Sequence, residues 1–141
     1  MNSVLPDTSA WISWLRLGSP TGVRQAAGAG AAVWLSAVSV QELCAGARGK
    51  HQEAVQSIAG EFARAGRVLV PDLSDWKKTG LVLAQVAERF GYEQIGRNRL
   101  SNDALIAATA ARHQLLLLTA NPRDFARLAE FLPFEWRVAA G

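Results

Sequence analysis

NDALIAATAARHQLLLLTANPRDF, residues 102–125, decides the fold class. Its first half is rich in small residues and predicts a helix from Asn102 to His113, capped by Ser101. Leu115 to Leu118 is an all-leucine run closed by Thr119. A run with no polar face predicts a strand buried on both sides, as in a parallel sheet. Asn121-Pro122 then opens another short helix, with proline where a missing N–H costs nothing.

The same alternation extends outward in both directions. Residues 2–6 predict a first strand. Ala10 to Leu17 follows as a helix capped by Thr8 or Ser9 and stopped by Gly18. Ser19-Pro20 opens a second helix to about Gly28–Gly30. Ala32 to Ser36 predicts a short buried strand, and Ser39-Val40-Gln41-Glu42 has capping-box spacing for a helix to about Ala47. Helix is expected from Lys50 to Ala65, strand from Arg67 to Val70, and helix from Ser74 to Phe90. The polar stretch Gly91 to Leu100 reads as irregular, and Phe134 to Val138 as a last edge strand. Strands alternating with amphipathic helices imply an α/β fold, with a short, mainly parallel central sheet of about four or five strands flanked by helices.

Composition narrows the class. The chain has 141 residues, of which half are hydrophobic and 19% charged, as in a globular protein of one domain spanning 1–141. No apolar run approaches the roughly 18 residues of a membrane span. No basic region or cleavable apolar stretch opens the chain, so no signal peptide is expected. The single cysteine, Cys44, excludes an intramolecular disulfide and suits a reducing cytoplasm. The net charge of +3 is too small to name a partner, although 12 of the 15 basic residues are arginine. Guanidinium groups suit phosphate, and they equally suit an arginine-rich solvated surface.

In open parallel sheets ligands bind at the carboxyl ends of the strands, where helix N-termini also gather. Four acids fall on that rim in apolar surroundings: Asp7 after the first strand, Glu42 in the helix after the second, and Asp103 and Asp124 in the helices on either side of the leucine strand. Each alone has a structural reading, as a helix cap, a capping-box partner, or an acid complementing a helix dipole. Asp72 also follows a strand, and is set aside because that strand is expected at the sheet edge. Together, four carboxylates without matching Lys or Arg repel one another unless a divalent cation neutralises them. An all-oxygen set suits Mg²⁺ or Mn²⁺. His51 and His113, the only histidines, lack zinc-binding spacing.

These residues carry a family likeness. Asp7-Thr8-Ser9, Ser39-Val40-Gln41-Glu42-Leu43, Asn102-Asp103-Ala104-Leu105-Ile106-Ala107-Ala108-Thr109-Ala110 and Thr119-Ala120-Asn121-Pro122-Arg123-Asp124-Phe125 resemble, in order and spacing, the successive motifs of PIN-domain nucleases. Within that superfamily they look most like VapC-type toxins of toxin–antitoxin systems. The resemblance implies a PIN-like fold, with Asp7, Glu42, Asp103 and Asp124 as the acidic quartet holding Mg²⁺ or Mn²⁺. The fourth acid is the least uniform ligand of the superfamily, which leaves Asp124 either touching the ion or acting through water. Thr8, Ser9 and Thr119 would hydrogen-bond the acids or a bound water. Asn121 matches an asparagine of the last motif, where capping the following helix is the simpler role.

The implied activity is hydrolysis of RNA phosphodiesters, leaving a 5′-phosphate and a 3′-hydroxyl, with no histidine base required. Arg97, Arg99 and Arg123 flank the acidic motifs as candidate phosphate contacts. Trp11 and Trp14, three apart on the first helix, suit the core or an interface better than base stacking. The resemblance further implies homodimerisation and a small VapB-like antitoxin covering the site. Two other classes compete: a PIN-like module that binds RNA or protein without cleaving, and an aspartate phosphotransferase using Asp7. The latter would want a second carboxylate where Ser9 stands, and a lysine better placed than Lys50, Lys77 or Lys78.

Overall fold

The computed structural model describes residues 3–17, 28, 30–94 and 98–139. The helix expected from Ser19 falls on residues outside these, as does Arg97. A four-stranded, fully parallel sheet forms the centre, in the order β2 (Ala32–Val33), β1 (Ser3–Pro6), β5 (Leu116–Thr119), β6 (Trp136–Val138). The register sets Val4, Leu5 and Pro6 of β1 against Leu116, Leu117 and Leu118 of β5. β5 in turn pairs Leu117, Leu118 and Thr119 with Trp136, Arg137 and Val138, so the last strand is the expected edge. Val4, Leu5, Leu117 and Leu118 are all buried, which is why an uninterrupted apolar run could form the central strands.

The strand expected over Ala32–Ser36 divides between two sheets. β2 pairs with β1, whereas β3 (Leu35–Ser36) pairs in parallel with β4 (Val68–Leu69) as a separate two-stranded sheet. The reason lies in two consecutive amides. Trp34 N–H donates to Val4 O at 2.9 Å, and Leu35 N–H donates the other way, to Arg67 O at 2.9 Å. Successive amides in extended chain point to opposite sides, so the chain can leave one sheet and enter the next without a loop.

Each helix near the rim begins where a local donor demands it. α1 (Thr8–Leu17) starts at Asp7, whose Oδ1 accepts from Ala10 N–H at 2.9 Å. The cap is therefore Asp7 itself, and the expected caps Thr8 and Ser9 lie inside the helix. α2 (Ala37–Gly46) is capped by Ser36, whose Oγ accepts from Val38 N–H at 3.1 Å. This serine at the end of β3 is free to turn the chain first, so the Ser39–Glu42 capping box does not form and both residues become helix interior.

α3 (Lys50–Arg64) follows, and then α4 (Leu73–Phe90), whose Asp72 and Asp75 form a reciprocal capping box. The stretch read as irregular contains a 3₁₀ turn over Tyr92–Gln94 and the first residues of α5 (Asn98–His113), so Ser101 is not a cap. α6 (Pro122–Leu128) starts after Asn121 as expected.

Trp11 is fully buried with Leu35, Leu43 and Val55. Its ring stacks on Trp14 at 4.5 Å and meets Phe62 edge-on at 5.4 Å, so the pair serves packing rather than base stacking. Among the described residues, no helix is long and apolar enough to cross a membrane.

Candidate active site

Because the paired strands run parallel, β1 and β5 end side by side, and the chain emerging from each turns into a helix. Asp7 sits at that junction, 2% exposed, with its backbone N–H bonded to Leu118 O at 2.8 Å. Its carboxylate is held from several sides. Oδ1 accepts from Ser9 Oγ at 2.7 Å as well as from Ala10 N–H, and Oδ2 accepts from Thr119 Oγ1 at 2.6 Å. The two hydroxyls are themselves anchored, since Ala120 N–H donates to Ser9 Oγ at 3.0 Å and Asn121 N–H donates to Thr119 Oγ1 at 2.9 Å. Asp7 is thus locked to both flanks of the central strand pair.

Glu42 arrives on α2. Its Oε1 accepts from the Thr8 hydroxyl at 2.5 Å, and the same hydroxyl lies 3.0 Å from Ser39 Oγ. Asp103 comes from α5 and is 6% exposed. These three acids, with Thr8, Ser9, Ile12, Arg99 and Asn121, line one cavity of about 260 Å³. Arg99 and Asp103 stand one turn apart on α5, which puts both on the same face of the helix.

The electrostatics follow from burial and crowding. Asp103 is pushed up to about 8, first by burial and then by repulsion from Asp7, Glu42 and Asp124, with Arg99 pulling the other way. Asp7 is raised as well, mainly by burial, while its hydrogen bonds from Thr119, Ser9 and Ala10 hold it down. A buried acid crowded by like charges and faced by one exposed guanidinium is an arrangement that a cation would relieve.

Residues 4–131 match the PIN domain model. The chain belongs to the PIN domain family. No curated protein sequence matches it. Among solved structures, a chain of the DNA-bound VapBC of Salmonella typhimurium superposes with a TM-score of 0.72 at 22% identity, covering 99% of this chain and 100% of that one. FitAcB of Neisseria gonorrhoeae is similar at 26% identity and a TM-score of 0.60, over 94% of this chain and 95% of the other. VapBC-5 of Mycobacterium tuberculosis gives 21% identity and 0.56, with both chains fully covered.

The positions singled out in this PIN domain separate on inspection. Asp7, Glu42 and Asp103 share the cavity with Thr8, Ser9, Asn121 and Arg99. Asp124, half-buried in the first turn of α6, is not among the lining residues, although its charge is felt at Asp103. Thr119 is buried behind Asp7 as its hydrogen-bond donor. Asn121 occupies the N-cap position of α6, but its side chain makes no cap hydrogen bond, so capping is not what that amide does. Arg123 is exposed on α6 and does not line the cavity.

Ile12 and Ser39 were absent from the expected set. Ile12 supplies an apolar wall, and its spacing from Asp7 was the only sequence signal for it. Ser39 was read as a helix cap and is instead fully buried beside Thr8.

The donor set suits a hard cation in chemistry, being all oxygen. Among the described residues, no three Asp, Glu, His or Cys side chains close into a ready-made cage for an ion. Mg²⁺ commonly keeps several waters and takes only one or two carboxylates directly, so an open cavity with Asp7 and Asp103 on its wall fits that ion better than a closed protein shell would.

Proposed function

We propose that this chain is a metal-dependent endoribonuclease and the toxin of a VapBC-type toxin–antitoxin pair, acting as one PIN domain over residues 1–141. The observation that carries this reading is the convergence of Asp7, Glu42 and Asp103, from three separate elements, on one cavity in which Arg99 is the sole cationic lining residue among the described residues. PIN domains are generally nucleases, which sets the reaction class.

Asp7, Asp103, Glu42 and Asp124 would hold Mg²⁺ or Mn²⁺, Asp124 by charge at longer range. When bound, the ion activates water for attack and stabilises charge developing on a phosphodiester. The chain's own groups prepare the site. Ser9 and Thr119 fix the Asp7 carboxylate, the Thr8 hydroxyl sets which way Glu42 turns, and Ile12 with the buried strand ends limits water on one side. Arg99 faces the cavity and would take a phosphate of the bound RNA, with Arg97 and Arg123 as further candidate contacts.

The VapBC neighbours support a VapB-like antitoxin as partner, and the family likeness supports a cytoplasmic homodimer. Val70, Leu73, Trp76 and Leu81 stand exposed along β4 and α4 and offer an apolar face for the second copy.

The test is cleavage of structured RNA by the purified protein. We expect cutting with Mg²⁺ or Mn²⁺, arrest by EDTA, and losses of at least about a hundredfold for Asp7→Asn and Asp103→Asn. Full activity in both variants would place the chemistry elsewhere. RNA retained without cleavage or divalent-ion dependence would support a binding module instead.

A further inference from the structure

We infer that Ser39 is a positioning residue for Glu42, acting through the Thr8 hydroxyl; this rests on the metal-binding reading of the cavity. Ser39 is fully buried and does not line the cavity. Its spacing predicted a helix cap, yet Ser36 performs that task. A buried hydroxyl in mid-helix requires a hydrogen-bond partner, and the side-chain partner of Ser39 is Thr8 Oγ1, 3.0 Å away.

Thr8 is therefore placed between two acceptors with a single hydrogen to give. One is Glu42 Oε1 at 2.5 Å, and the other is Ser39 Oγ at 3.0 Å. Ser39 and Glu42 lie one turn apart on α2 and Thr8 lies on α1, so a small rotation about the threonine hydroxyl exchanges the two bonds.

The exchange matters to Glu42. While Thr8 donates to Oε1, one lone pair of that oxygen is occupied and the carboxylate is turned toward α1. When a cation compensates the charge of the acids, Thr8 can pass its hydrogen to Ser39, and Oε1 is released toward the cavity. Ser39 provides the second resting place that keeps Thr8 satisfied after the change. Without it, releasing Glu42 would leave the half-buried Thr8 hydroxyl only the water of the cavity to bond. Ser39 thus favours the arrangement of Glu42 that accepts a cation, without touching cation or substrate.

The experiment measures Mn²⁺ affinity by calorimetry, without RNA, in four proteins: wild type, Ser39→Ala, Thr8→Val and the double variant. Circular dichroism and melting confirm that each is folded. Ser39→Ala should weaken Mn²⁺ binding by about tenfold, as loss of an outer partner of a ligand does. In the Thr8→Val background the same change should have no further effect, because the hydroxyl through which Ser39 acts is gone. An unchanged affinity in Ser39→Ala, or an equal loss in both backgrounds, would overturn the inference and leave the metal site standing. Asp103→Asn is the control for that site: if it binds Mn²⁺ as wild type does, or if wild type binds none, both readings fall together.

Discussion

Asp103 shows how far a single side chain can be held from its resting chemistry. Its ordinary value of 3.8 is moved to about 8 in the fold. Between those two values the native state keeps a proton that the unfolded chain has released. Stability therefore falls as pH rises through this window and levels off above it. Asp7, also raised, adds to the same slope. Asp103→Asn removes the larger part of it. The variant should melt above wild type near pH 8.5 and together with it near about pH 4, in thermal scans across that range. Parallel curves would show that the carboxyl is not strained.

At the scale of elements, one arginine clamps α4 to α5 beside their shared apolar core. Arg112 Nε lies 3.0 and 3.1 Å from the two oxygens of Asp75, and a terminal nitrogen lies 2.9 Å from Oδ2. Its other nitrogen reaches Asp72 at 3.5 Å. Asp75 is only 2% exposed, so Arg112→Ala leaves a buried carboxylate with its capping bond and nothing else. We expect a loss on the order of 1–3 kcal/mol in urea unfolding, with Arg112→Lys intermediate because an ammonium lacks the two-pronged geometry. Equal stability of Arg112→Ala and wild type would show that the clamp is ornamental.

The elements also show where a sequence can be read and where it cannot. The leucine run, the proline after Asn121 and the order of strands and helices are local signals, and they placed β5, α6 and the α/β class. The exchange of sheets at Trp34 depends on where two distant strands lie, which no window of residues contains. Helix starts failed for a related reason. Ser36 and Ser39 are both good caps by type, and only the end of β3 decides between them. Asp72 follows β4, an edge strand of the two-stranded sheet as expected, and its carboxylate is occupied by the α4 cap and Arg112. Asp7, Glu42 and Asp103 were legible together because the parallel wiring gathers strand ends; Thr119 was expected among the acids through the family likeness, whereas the contact of Ser39 with Thr8 arises only where α1 and α2 meet.

For the whole molecule, three side chains of α4 are among the large apolar groups that the described fold leaves uncovered. Leu73, Trp76 and Leu81 are 73%, 55% and 70% exposed. Gly80 lies among them with nothing within 4 Å of a built Cβ. A glycine inside an exposed helix costs about 1 kcal/mol relative to alanine and has no packing reason within the described chain. If the homodimer proposed above forms on this face, Trp76→Glu should shift sedimentation from dimer to monomer while leaving the melting curve of the monomer near that of wild type. A dimer that survives the change would place the contact elsewhere.

The passage of the chain from one sheet to the other has a last consequence. Asp7 leaves β1 of the larger sheet, and Glu42 follows β3 of the smaller one. The two walls of the acidic cavity are thus mounted on separate sheets, between which the chain passes at Trp34. Val68 and Leu69 of β4 do not line the cavity, yet Val68 packs against the cluster of Trp11 and Leu35, and Leu69 shares a cluster with Leu5. The width of the gap is a dimension that can be adjusted from a distance, with no acid replaced.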